Sequence, residues 1–218
     1  MSKNYFITFE GIDGSGKDTQ LFELLKQIKE NDNYPFGDKY STIWVTREPT
    51  KITNKGREIS RLLKTKEGMT GEQATELYTS DRKQHSRIIE QILSHSHVLC
   101  SRYDVSTLTY QVSQGMDFED LYEIHDYGSD NGSLIPDLTL VFDLPAEVAA
   151  KRVESRGGDK EFFEEIEFQK KVKRNQDFCV KKLRDKGRKI VVINADQSVG
   201  EVTEEMLEKI YEELNRNG

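Results

Sequence analysis

The sequence has only two cysteines, Cys100 and Cys179, in 218 residues. That excludes a disulfide framework, and both are expected as small buried hydrophobes in a reducing compartment. Long apolar runs are also missing, since stretches such as Leu138 to Phe142 are far too short to cross a bilayer. Met1-Ser2-Lys3-Asn4 leads directly into a strand-like run and leaves no room for a signal peptide, so a cytoplasmic location is expected. Positive charge is in deficit, with 32 Lys and Arg against 39 Asp and Glu and a net charge of −7. Such a balance argues against nonspecific binding to nucleic acid, which needs a basic surface. No repeat, low-complexity linker or break in composition divides the chain, so residues 1–218 are expected to form one domain.

What the chain does contain is an alternation of strand-like and helical patterns. Tyr5 to Phe9, Ser41 to Thr46, His97 to Ser101, Asp137 to Leu144 and Lys189 to Asn194 carry the β-branched and aromatic content of strands. Between them, apolar residues recur at helical spacing, as in Leu21, Leu24, Leu25 and Ile28. Helices are expected over 55–66 and 71–94, around 108–114, after Pro145, up to about Lys186, and from Val199 to Asn217. The segment 127–136 reads as a loop. This order predicts an α/β fold, a five-stranded parallel sheet with helices on both faces. Ligands of such sheets sit beyond the carboxyl ends of the strands.

After the first strand comes Gly11-Ile12-Asp13-Gly14-Ser15-Gly16-Lys17, which fits G-x-x-x-x-G-K between a strand and a helix. Glycines let successive backbone N–H groups turn inward around phosphate, and Lys17 can bridge the terminal phosphates. The expectation is a P-loop NTPase fold that binds ATP through Gly11 to Thr19. One position departs from the motif: the hydroxyl residue that follows the lysine and ligates Mg²⁺ is replaced by Asp18. Thr19 cannot substitute directly, because one residue along a helix turns a side chain through about 100°.

Four further segments accompany the P-loop. They are Thr46-Arg47-Glu48-Pro49, Tyr78-Thr79-Ser80-Asp81-Arg82-Lys83-Gln84-His85, Arg102-Tyr103-Asp104-Val105-Ser106-Thr107-Leu108-Thr109-Tyr110-Gln111 and Pro136-Asp137-Leu138-Thr139-Leu140-Val141-Phe142-Asp143-Leu144-Pro145. With Phe9 to Gln20 they resemble, in order, the motifs of the thymidylate kinase family of P-loop monophosphate kinases. The third block lacks the family's leading Asp, and Ser101 stands there instead.

The resemblance implies transfer of a phosphoryl group from ATP to thymidine monophosphate with Mg²⁺, usually by a homodimer. It places Tyr78 against the pyrimidine face, Arg82 at the base O4, and Arg102 on the acceptor phosphate, with Thr107 in the same substrate-binding block. Tyr110 would lie against the sugar, and Arg47 and Asp13 beside the acceptor phosphate and the metal. Asp13 and Asp18 are the candidate metal ligands. A charged stretch at about 154–167 corresponds to the family's lid, which supplies a catalytic arginine when the P-loop does not. Gly14 occupies the loop position, so Arg156 is expected in that role, with Arg152 as the other candidate. Catalysis would then rest on Lys17, Arg102, Arg156 and Asp13. A kinase for another monophosphate such as dUMP, or a nucleotide-binding protein with impaired catalysis, remains open at this point. His95 and His97 are read as a solvated turn, since nothing completes a metal site around them.

Overall fold

Runs of apolar and β-branched residues pair as parallel strands in the order β2-β3-β1-β4-β5. The computed structural model of the chain describes residues 3–30, 35–36, 42–65, 68–155 and 166–215. In chain order these form β1 (Phe6–Glu10), α1 (Lys17–Glu30), β2 (Thr42–Arg47), α2 (Asn54–Thr65), α3 (Gly71–Leu93), β3 (Ser96–Ser101) and α4 (Asp104–Ser113). Then follow α5 (Phe118–His125), β4 (Leu138–Asp143), α6 (Ala146–Glu154), α7 (Ile166–Asp185), β5 (Ile190–Asn194) and α8 (Val199–Asn215). The expected five-stranded parallel sheet is therefore present, with strand ends displaced by only a residue or so.

Side chains alternate across the sheet and meet helices on each face. Ile7 and Phe9 of β1, Leu99 of β3 and Leu138, Leu140 and Phe142 of β4 pack with Leu21 and Leu24 of α1 and with Val202, Met206 and Ile210 of α8. On the opposite face, Val141 packs with Val105 and Leu108 of α4, Phe118 and Leu121 of α5, and Cys179 and Leu183 of α7. Each fully buried Leu- or Phe-sized side chain contributes roughly 1.5–3 kcal/mol. Phe6 of β1 and Val98 and Cys100 of β3 form a further cluster with Ile89 of α3 and Tyr103, so every residue of both strands is buried. Both cysteines are free and buried.

The structure adds one helix and corrects one sequence reading. Residues 118–125 form α5, a helix the apolar spacing did not announce; Asp117 caps it by accepting from the backbone N–H groups of Glu119 and Asp120. His97 is not in a solvated turn. It is buried on β3, accepts from the Tyr5 N–H at 3.0 Å and stacks on the Tyr5 ring. Among the described residues no group of three His, Cys, Asp or Glu is placed to hold a metal, and no helix is long and apolar enough to cross a membrane.

Candidate active site

β1 and β3 lie side by side, with Phe9 opposite Ser101, so the segments that follow them emerge together at the carboxyl edge of the sheet. β1 feeds the phosphate loop and β3 feeds Arg102. Gly14 has φ of +86°, and a Cβ there would lie 2.4 Å from the Ala149 carbonyl oxygen of α6. Only glycine fits. Ser15 Oγ is buried in the loop with no hydrogen-bond partner among the described residues. An orphaned hydroxyl inside a glycine-lined turn at a helix N-terminus suits an anionic ligand.

Lys17 opens α1 and is almost fully buried, with its ammonium 3.5 Å from the Ile12 carbonyl and 3.8 Å from the Asp13 carboxylate. Burial, and then the nearby Arg102 charge, lower its pKa to about 8. A bound phosphate chain would restore the ammonium's preference for its charged form. Asp13 is the hub of the site. It accepts from Arg102 Nη2 through one oxygen and from the Tyr110 hydroxyl at 3.1 Å through the other. Burial works to raise its pKa, but the charges of Arg102 and Lys17 outweigh it and hold Asp13 ionised.

Arg102 has φ of 62°, a left-handed backbone uncommon outside glycine. Its neighbours enforce that geometry. Its own N–H donates to Phe9 O at 2.9 Å, and the N–H of Tyr103 donates to Glu10 Oε1 at 2.8 Å. Glu10 also accepts from the Ser106 hydroxyl, so a buried carboxylate from β1 caps α4, whose N-cap residue Tyr103 offers no side-chain hydrogen bond. Burial is the largest influence on Glu10 and raises its pKa from 4.5 to about 7.

A stability prediction follows. Between those two values the native state holds a proton on Glu10 that the unfolded chain has lost, so this group's contribution falls as pH rises through that window. The cost above pH 7 is on the order of 3 kcal/mol. Glu10→Gln keeps an acceptor for Tyr103 and a partner for Ser106, and it is neutral at every pH. Urea unfolding should therefore show its stability advantage over the parent growing from pH 5 to pH 8. Asp13, Asp18 and Asp104 have lowered pKa values and shift both proteins alike on acidification. An advantage independent of pH would refute the assignment to Glu10.

A cleft of about 480 Å³ opens from this edge, and Asp13, Asp18, Arg47, Tyr78, Arg82, Arg102, Thr107 and Tyr110 all line it. Tyr78 is half-buried on α3 and Arg47 is exposed at the end of β2. Thr19 lies on the exposed face of α1, outside the cleft. Arg82 is fully buried on α3. Its Nε and Nη2 donate to Glu48 Oε2 at 2.9 and 2.5 Å, and Nη2 also reaches Tyr103 O and Thr107 Oγ1. Nη1 faces His125 Nε2 at 3.4 Å. Burial and the Arg82 charge keep His125 neutral, consistent with Nε2 accepting from Arg82 and Nδ1 donating to Ser133 Oγ. Among the described residues Nη1 makes no other hydrogen bond, and Arg82 is one of the residues lining the cleft.

Two residues gain weight from the structure. Glu48 fixes Arg82 and also meets His85 Nδ1 at 2.9 Å, while Thr46 meets that ring's Nε2 at 2.9 Å. Gln111 lines the cleft, is nearly fully buried and leaves Oε1 without a partner among the described residues. Both stand inside segments conspicuous in the sequence, but their roles need the tertiary contacts. Arg152 is half-buried in the last turn of α6. Arg156 and the span 156–165, most of the expected lid, lie outside the described residues.

The family model described as Thymidylate kinase matches residues 9–206. A probable thymidylate kinase of Methanococcus maripaludis (strain C7) is 36% identical over 217 residues, covering 97% of this chain and 97% of that protein. One from Pyrococcus abyssi is 32% identical over 219 residues, covering 97% and 98%. The thymidylate kinase of Bacillus cytotoxicus is 32% identical over 220 residues, covering 97% and 99%. With its P-loop, its parallel five-stranded sheet and this match along nearly its whole length, the chain belongs to the thymidylate kinase family.

Proposed function

We propose that this chain, acting as a single kinase domain, transfers the γ-phosphoryl group of ATP to dTMP, giving dTDP and ADP. One observation carries the reading: groups suited to a pyrimidine edge, Arg82 and Gln111, line the same cleft as Arg102 and the P-loop residues Asp13 and Gly14. The cleft's volume suits a small-molecule ligand.

Thymine offers an O4 acceptor and an N3–H donor. Arg82 donates to the first through Nη1, and Gln111 Oε1 accepts from the second. Cytosine reverses both, with an amino donor and an unprotonated N3. Tyr78 covers the base face. Tyr110, held by its hydrogen bond to Asp13, packs where a 2′-hydroxyl would project, and the same bond keeps Asp13 and Arg102 in one rigid group. Arg102 takes the acceptor phosphate as a guanidinium fork, assisted by Arg47. On the donor side, the loop N–H groups, Ser15 and Lys17 hold the ATP phosphates.

The residues present fit Mg²⁺ as well. Asp13 and Asp18 bring hard carboxylate oxygens to the phosphate edge of the cleft, the donor type that this ion prefers. When bound there it would neutralise charge on the transferring phosphates. From the family resemblance the reading extends to a homodimer in the cytoplasm.

The base assignment is tested most cleanly at Gln111. Arg82→Ala would strand the Glu48 carboxylate in the interior, whereas Gln111→Leu replaces an orphaned polar group with an apolar one of similar size. The kcat/KM preference for dTMP over dCMP should shrink by about 1–3 kcal/mol, the weight of one buried hydrogen bond against an unpaired group. An unchanged ratio would mean that Gln111 does not read the base.

A further inference from the structure

The two departures from the P-loop pattern meet in space. Asp18, where a hydroxyl residue is the rule, follows Lys17 in the first turn of α1. Ser101, where a carboxylate is the rule, ends β3 between Phe9 of β1 and Arg47 of β2. Although 83 positions apart in the chain, they are bonded directly, Ser101 Oγ donating to Asp18 Oδ1. P-loop NTPases hold Mg²⁺ between a hydroxyl after the lysine and an Asp from a strand. Here the same two groups stand beside each other with their chain positions reversed, so hydroxyl, carboxylate and net charge are all conserved.

The other carboxylate at this edge is already committed. Asp13 has one oxygen on Arg102 and the other on Tyr110, with Lys17 at 3.8 Å. Asp18 has a single hydrogen bond, through Oδ1, and its Oδ2 has no partner among the described residues although the residue lines the cleft. An unscreened carboxylate beside a triphosphate is strongly repulsive, and a cation between them reverses the sign. Lys17, Arg47 and Arg102 all lie close enough to stabilise the Asp18 charge, but the first and third are already directed at Asp13.

Resting on the kinase reading above, we propose that Asp18 and Ser101 form one cation-holding pair with exchanged chain positions. Beside Asp13, whose oxygens are already engaged by protein groups, Asp18 supplies a carboxylate oxygen to the divalent ion that accompanies ATP, directly or through water, and Ser101 fixes that carboxylate. The rival role is smaller: Asp18 would merely complement the positive end of α1.

Binding, not turnover, separates them. ATP affinity is measured by titration calorimetry with Mg²⁺ and again with EDTA, and the ratio of the two is the metal-dependent gain. In Asp18→Ser that gain should fall about 10- to 100-fold, while metal-free ATP binds no worse. Asp18→Asn, which keeps an acceptor for Ser101, should lose the gain equally, and thermal melting of each variant confirms that it folds. Ser101→Asp alone should weaken metal-free ATP binding by adding charge. The double variant Asp18→Ser, Ser101→Asp restores the usual order and should recover most of the gain, beyond the sum of its singles. An undiminished gain in Asp18→Ser, or a strictly additive cycle, overturns the pair while leaving the kinase reading intact. An unmodified protein that fails to bind ATP at all would instead overturn both.

Discussion

Arg156→Ala is expected to lower kcat by about 10³- to 10⁵-fold while changing ATP affinity little, the scale at which an arginine acts on a transferring phosphoryl group. Gly14 sets this requirement. Its φ of +86° and the Ala149 carbonyl oxygen 2.4 Å from any Cβ leave no room for a side chain in that part of the P-loop. The positive charge that must meet the developing transition state therefore has to come from elsewhere. Arg102 and Lys17 are both directed at Asp13. The charged stretch beyond α6 contains Arg156, and Arg152 stands four positions before it in the sequence, within α6. Steady-state kinetics on both alanine variants decides between them. A large kcat loss in Arg152→Ala with none in Arg156→Ala would transfer the role. Loss in neither would remove the segment from the chemistry.

Lys17→Ala is expected to lower kcat by on the order of 10²- to 10³-fold, the cost of removing one preorganised group that meets charge as it moves. Its ammonium is buried and held between the Ile12 carbonyl and Asp13, so it needs little reorganisation when phosphate arrives. Removing it also leaves Asp13 with Arg102 as its remaining cationic partner among the described residues, a pairing that preserves the acceptor side. KM for dTMP should accordingly change less than kcat. Single-turnover kinetics gives both numbers, and a variant retaining more than half of the parent kcat would contradict the P-loop assignment.

How far the sequence discloses this protein depends on the range of the interaction concerned. The strands are legible because β1, β3 and β4 are buried along almost their whole length and are correspondingly rich in apolar and β-branched residues. The P-loop is legible because its geometry is local, a strand, a glycine turn and a helix in immediate succession. The helix at 118–125 is not legible in the sequence because it is only two turns long; it depends on one cap at Asp117 and on burying Phe118 and Leu121 against α4 and α7. Short helices of this kind owe their stability to packing more than to propensity.

The supports of the site are the least legible part. Glu10 reaches Tyr103 across 93 positions, and Glu48 reaches Arg82 across 34. A lone glutamate in a sequence gives no sign that it will be buried beneath an arginine. The Asp18–Ser101 contact is the instructive intermediate. Each departure looks like a defect when read alone, and only the fold brings the two together.

Phosphoryl transfer to a thymine nucleotide is read out by ADP formation from ATP and Mg²⁺ across dTMP, dUMP, dCMP, dGMP and UMP. dTMP should give the highest kcat/KM. dUMP should trail by no more than the roughly 1–3 kcal/mol that one methyl group can supply. dCMP should be poor because its amino group and unprotonated N3 cannot match Arg82 and Gln111, dGMP poor because a purine is larger than the pyrimidine assigned to the cleft, and UMP poor because Tyr110 crowds its 2′-hydroxyl. Equal rates with dCMP and dTMP, or a preference for UMP over dUMP, would contradict this acceptor assignment.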